Sequence, residues 1–183
     1  MDRLIQYSIP VKGIRSGTHQ FDFQIDRAFF QAFEDSPVSD GSIALTLLFD
    51  KRPDMYVLKF DFAGTLKTEC DRCLAVIDLP VSDQQQLIVK LSEAEQIEDA
   101  DVVYIHPETQ QLNVAVYIYE YIILSMPFMR VYDCENDDKR VCNEEMLRYL
   151  NGQNGADEVA ETPEVSEQNE LWEALKKLNI RDN

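Results

Sequence analysis

Ser42-Ile43-Ala44-Leu45-Thr46-Leu47-Leu48-Phe49, the turn Asp50-Lys51-Arg52-Pro53-Asp54, and Met55-Tyr56-Val57-Leu58-Lys59-Phe60-Asp61-Phe62 decide the fold. Ile43, Leu45, Leu47 and Phe49 fall at every second position, and Leu58, Phe60, Phe62 and Leu66 share one face in the same way after the turn, with Gly64 between the last two. Alternation with a period of two is the pattern of a strand that buries one face. A short turn between two such strands predicts an antiparallel pair. Gly64 predicts a bulge or a close backbone approach, and Lys59, Asp61, Thr65 and Lys67 occupy a face expected to be solvated.

Upstream, Leu4–Pro10 reads as a loose first strand and Thr18–Ile25 as a half-buried one, with Phe21, Phe23 and Ile25 on one side. Asp26 is placed to cap a helix over Arg27–Phe33. Downstream, Leu74–Val81 and Gln84–Leu91 read as two extended segments, Pro80 marking an edge position. Ser92–Asp101 carries five carboxylates and no base. Lacking the glycine and ligand order of a calcium loop, it reads as solvated loop. A brief strand follows over Val102–Ile105. Leu112–Met126 has helical spacing, with Asn113 as cap, Pro127 as stop and Glu120 as its only charge. Glu120 reads as a helix-surface carboxylate rather than a catalytic acid. Asn143 is a cap for a short helix ending at Leu150. Residues 151–170 then hold six acids, no Lys or Arg and two Gly, too little apolar surface to offset the entropy of ordering them. Leu171, Trp172, Leu175 and Leu178 mark one face of a final short helix. Such a helix is marginal alone, so it either docks on its own domain or is presented to a partner.

The chain therefore reads as α+β: a mainly antiparallel β-sheet with a Cys-x2-Cys knuckle between strands, a few packed helices, and a flexible acidic C-terminal tail ending in a short amphipathic helix. The expected division is one globular domain over 1–150, an acidic linker over 151–169 and the amphipathic helix over 170–183.

Four cysteines are present, as Cys70 and Cys73 flanking Asp71-Arg72, and as Cys134 and Cys142. A Cys-x2-Cys pair on a turn between strands has the form of half a zinc ribbon, and the second pair is the natural other half. Its seven-residue spacer is longer than usual for such sites, and His106 or His19 is an alternative fourth ligand. A structural Zn2+ held by Cys70, Cys73, Cys134 and Cys142 is one reading. Unligated or partly buried thiols are a second. Thioredoxin-like thiol-disulfide chemistry at Cys70 and Cys73 is a third, opposed by the extended residues after Cys73 and by Asp71 beside the first sulfur. The sequence offers no Gly-rich phosphate loop, no nucleophile elbow and only two histidines, so it does not predict an enzyme or a small-molecule substrate.

Net charge is −17, with 34 acids against 17 Lys and Arg. Phosphate binding draws its affinity from Lys and Arg, so generic nucleic-acid binding over the whole surface is disfavoured and basic protein partners are favoured. No long apolar run or signal-type N-terminus is present, so the expectation is a cytoplasmic protein with no membrane association.

The order Cys70, Arg72, Cys73, Leu74, then Glu120, Leu124 and Pro127, then Cys134 and Cys142, then Trp172, Leu175 and Leu178 resembles the YceD family of large-subunit ribosomal RNA accumulation proteins. The chain departs from the family pattern in the wide Cys134–Cys142 spacing and in Gln168-Asn169-Glu170-Leu171 ahead of Trp172. The resemblance implies a non-enzymatic factor in 23S rRNA processing or accumulation and in 50S biogenesis, with rRNA or a pre-50S ribonucleoprotein as partner. Two modes of action follow. In one, Lys51, Arg52, Lys59, Lys67 and Arg72 form a local patch that contacts RNA. In the other, the acidic protein is an adaptor for a basic ribosomal protein or a nuclease, with Trp172, Leu175 and Leu178 as the partner-binding face.

Overall fold

The computed structural model describes residues 4–93, 102–133 and 141–150. The architecture is α+β. Seven strands are described: β1 (Ser8–Pro10), β2 (Gly17–Ile25), β3 (Asp40–Lys51), β4 (Met55–Glu69), β5 (Val76–Leu91), β6 (Val102–Ile105) and β7 (Gln111–Asn113). Three α-helices accompany them: α1 (Arg27–Phe30), α2 (Ala115–Leu124) and α3 (Glu144–Leu150). Internal contacts divide the chain into Met1–Leu147, which contains both sheets, and Arg148–Asn183.

The main sheet has the order β2-β3-β4-β5-β6. Its first four strands form an antiparallel meander, in which Ile43 faces Gly64, Leu45 faces Phe62 and Leu47 faces Phe60. This register places Ile43, Leu45, Leu47, Phe49, Leu58, Phe60, Phe62 and Leu66 on one face, all of them buried. Against that face lie Phe29 and Phe30 of α1, Ala115, Ile118 and Ile122 of α2, and Tyr7 and Ile9 from the N-terminal segment. The opposite face of the sheet, with Lys59, Asp61, Thr65 and Lys67, is exposed as the alternation predicts.

Gly64 is a close approach. A Cβ built there would lie 2.2 Å from the Ser42 carbonyl oxygen and 2.6 Å from the Ile43 Cα. The Asp26 side chain accepts hydrogen bonds from the Ala28 and Phe29 N–H groups, as its position predicts, but α1 stops at Phe30 rather than Phe33. The first strand is shorter than expected because Ile5–Tyr7 forms a 3-10 turn, leaving Ser8–Pro10 as β1.

The two extended segments after the cysteine turn are one strand of sixteen residues, β5. Pro80 does not interrupt it. β6 pairs with β5 only from Ile88 to Leu91, so among the described residues the flank of β5 away from β4 carries no strand beside Pro80, an edge position of the kind that tolerates proline. β6 runs parallel to β5. β7 occupies the start of the expected helix, because Gln111–Asn113 pair with β1. Val114 rather than Asn113 is the N-cap of α2, without a side-chain cap hydrogen bond, and Asn113, one residue earlier, accepts from the Ala115 N–H through its Oδ1 at 2.9 Å. Asn143 caps α3 through Glu145 and Met146 as expected. Most of the acidic loop, Cys134, the linker and the Trp172, Leu175 and Leu178 face lie outside the described residues. No described helix is long and apolar enough to cross a membrane.

Candidate functional site

β4 ends at Glu69, and the chain reverses through Cys70-Asp71-Arg72-Cys73-Leu74 into β5. The Cys70 N–H donates to the Ala75 carbonyl at 2.8 Å and the Leu74 N–H to the Cys70 carbonyl at 2.9 Å. Leu74 closes the turn with φ of 58°, the left-handed region that a non-glycine residue enters at a cost. The turn points both sulfurs inward. Cys70 and Cys73 are fully buried free thiols that form a small apolar cluster with Ile77.

Burial pushes the Cys70 thiol up. The N–H groups of Cys73 and Arg72 outweigh it together with the Cys73 side chain and the Arg72 charge, and hold the thiol below its ordinary value. Two backbone N–H groups directed at one sulfur stabilise a thiolate. Tyr132, Cys142 and Leu147 pack against the same cluster, so the segment after α2 is brought onto the turn. Cys142 is disulfide-bonded. Among the described residues no group of three or more His, Cys, Asp or Glu is assembled as a metal site. Cys70 and Cys73 thus fit one half of a thiolate site.

Arg130 fastens the turn from outside. Its guanidinium pairs with Asp71 at 2.8 Å and donates to the Thr68 hydroxyl at 3.0 Å. The backbones reciprocate: Asp71 N–H donates to the Arg130 carbonyl at 2.8 Å, and Arg130 N–H donates to the Asp71 carboxylate at 2.7 Å. That N–H and then the guanidinium hold the Asp71 carboxyl below the usual range. Beside this clasp is an open cleft of about 520 Å³ lined by Arg27, Lys67 and Arg130, by the hydroxyl residues Ser36, Ser39 and Thr68, and by Asp40, Glu69 and Asp71. Arg72 is exposed on the same turn.

The five cations singled out by sequence are not one patch. Lys51 pairs across the β3–β4 hairpin with Tyr56, and Lys67 lies eleven residues farther along β4, about 36 Å at roughly 3.3 Å per residue. Lys59 lies between them on the exposed face, about 26 Å from Lys67 by the same rise. These separations exceed the Debye length of about 8 Å at physiological ionic strength. Lys51 is moreover engaged, its ammonium donating to the Val11 and Ile14 carbonyls and lying 5.9 Å from the Tyr56 ring centroid. Arg52 pairs with Asp50. Lys67 and Arg72 remain together at the cysteine end, where Arg27 and Arg130 join them. Neither of those two was legible as a partner from sequence. Arg130 lies 59 positions from Asp71, and the segment that follows it, with Tyr132 and Cys142, packs on the same turn.

The remaining residues of interest lie on α2 and just past its end. Tyr117 and Ile123 pack partly against the core, whereas Glu120 and Leu124 of the helix and Pro127 beyond it are exposed.

A family model described as "Large ribosomal RNA subunit accumulation protein YceD" matches residues 58–179. The match takes in the cysteine turn, the Arg130 clasp and α2, and it leaves β1, β2, α1 and β3 outside. No curated protein and no solved structure matches the chain. With two thirds of its length matched, and with the matched part holding both cysteine segments, the chain belongs to the YceD family.

Proposed function

We propose that the protein is a cytoplasmic, non-enzymatic factor in large-subunit ribosome biogenesis that promotes accumulation of 23S rRNA by contacting rRNA or a pre-50S ribonucleoprotein at the cysteine end of its sheet. Membership of a family described by large-subunit rRNA accumulation carries the pathway. The contact is supported by one observation: Arg27 and Lys67 line a single cleft with Ser36 and Ser39, beside the carboxylates of Asp40 and Glu69, and Arg72 is exposed on the adjoining turn. Guanidinium, ammonium and hydroxyl groups are what phosphate and sugar contacts use. Binding of the full chain to 23S rRNA fragments is measured against salt. Lys67→Glu with Arg72→Glu is expected to weaken binding at least tenfold and to flatten the salt dependence. Unchanged affinity and slope would overturn an RNA contact at this end.

The turn itself is read as scaffold. Cys70 and Cys73 would hold a structural Zn2+ with Cys142 once it is reduced and with Cys134, and the ion would cross-link the turn to the segment after α2. Thiol-disulfide exchange gains no support from two fully buried sulfurs on a strand-to-strand turn.

An adaptor role for a basic ribosomal protein or nuclease is the second reading. The separation of Lys51, Arg52 and Lys59 from the cleft, on a chain of net charge −17, favours it. Partners that survive ribonuclease treatment support the adaptor, and partners that vanish support the RNA contact.

A further inference from the structure

One side of α2 is largely apolar and is not covered by any of the described residues. Ala115, Ile118, Tyr121 and Ile122 face the core, whereas Val116 is 50% exposed and Leu124 is 76% exposed. Residues four apart are neighbours on a helix, so Val116, Glu120 and Leu124 form one row along the outer face. Two further apolar side chains follow within five residues of the helix end, Phe128 100% exposed and Met129 71%. A helix that is apolar on all sides is ordinarily buried on all sides, and clustered exposure of this kind marks a contact surface.

The row has one polar member. Glu120 is exposed at its centre, and among the described residues none of the salt bridges involves it. Any occupant that covers Val116 and Leu124 must also take the Glu120 carboxylate out of water, which is unfavourable unless the occupant brings a cation.

We propose that Val116, Glu120, Leu124, Phe128 and Met129 form a docking surface for a protein segment that is apolar and carries a lysine or arginine paired with Glu120. Charge decides between occupants. A second copy docked face to face would bring two Glu120 carboxylates together on chains of net charge −17. RNA would bring phosphates to the same carboxylate, and the nearest cation in sequence, Arg130, is already committed to Asp71 and Thr68. A basic, apolar protein segment satisfies both the row and its charge. Phe128 supplies the large anchor, since an aromatic side chain buries roughly 150–250 Å².

The test places a benzoylphenylalanine photocrosslinker at position 128 of the full chain in cells, with position 65 on the exposed sheet face as control. Adducts are treated with ribonuclease and the crosslinked peptide is sequenced. The expected result is a ribonuclease-resistant protein adduct whose peptide carries Lys or Arg among apolar residues. Its yield should fall at least tenfold in Glu120→Lys, fall less in Glu120→Gln, and persist in Lys67→Glu with Arg72→Glu, which separates this surface from the proposed RNA contact. Thermal melts of the Glu120 variants should match the parent. Adducts to RNA, to a second copy or to residues 170–183 of the same chain, a yield unaffected by Glu120→Lys, or no adduct above the control would each overturn the proposal.

Discussion

Gly64→Ala is the sharpest test of how the sheet holds the cysteine end in place. Gly64 carries no positive φ, so alanine is allowed by its backbone, and in open space the change would stabilise by about 0.4–1 kcal/mol through the unfolded chain. Here the new methyl meets backbone rather than a yielding side chain. Its nearest neighbour is the Ser42 carbonyl oxygen at 2.2 Å, so β3 and β4 must part by more than about 1 Å to restore ordinary van der Waals contact at 3.4 Å or beyond. Ladder hydrogen bonds near 2.9 Å do not survive such a displacement. Two lost bonds at about 1 kcal/mol each, added to an overpacking cost of about 1–3 kcal/mol, predict a loss of about 3–5 kcal/mol. At roughly 2–4 °C per kcal/mol for a chain of this size, the melting temperature should fall by about 10 °C. Gly41→Ala is the matched control: its closest contacts are the Leu66 Cδ2 at 2.8 Å and the Thr65 carbonyl oxygen at 3.0 Å, both longer than the 2.2 Å approach at Gly64, so the loss should be smaller. Circular dichroism melts and urea titrations of the three proteins measure the difference. A Gly64→Ala protein as stable as the parent, or more stable, would refute the close approach and the Ile43–Gly64 register with it.

Zinc analysis of reduced, full-length protein is expected to find one equivalent, lost in Cys70→Ser and in Cys73→Ser; no zinc together with four readily alkylated thiols would remove the metal from the account. Asp26→Ala deletes the α1 cap and should cost about 1 kcal/mol, seen as a modest drop in urea midpoint with an unchanged m-value. Lys12 holds the Glu108 carboxyl below its usual range, joining residue 12 to the loop before β7. A lowered carboxylate pKa contributes stability that is fully present above the unfolded value of about 4.3 and is lost as pH falls through the folded value. Glu108→Gln should therefore lower stability slightly at neutral pH, and the difference should shrink in acid as pH falls from the unfolded value through the lowered folded one; a difference that grows in acid would contradict the pair.

Strands whose residues declare their own faces were legible in the sequence. Ile43 to Phe49 and Leu58 to Leu66 fixed a hairpin because period-two burial leaves no other arrangement, and Asp26 and Asn143 announced their helices because a side-chain cap acts within three residues. Relations between distant segments left no such signature. The parallel β5–β6 pairing rests on four positions, and β7 is a strand only because β1 lies beside it. The same limit governed the candidate site. Lys51, Lys59 and Lys67 are near in sequence but strung along an extended hairpin, whereas Arg27 and Arg130, 103 positions apart, line one cleft. Extended backbone separates neighbours as effectively as packing unites strangers.

The β1–β7 pairing has a consequence for how the chain is made. The meander from β2 to β5 can assemble hairpin by hairpin as residues leave the ribosome, each strand finding its partner within a short loop. Ser8–Pro10 cannot: its partner is Gln111–Asn113, synthesised about a hundred residues later. Until then Tyr7 and Ile9, buried in the finished protein, have no second strand to hold them over the core. A nascent chain stalled before residue 111 should therefore hold its N-terminal segment open to protease while the sheet behind it is already resistant. A segment translated ahead of the whole meander is thus among the last to be locked.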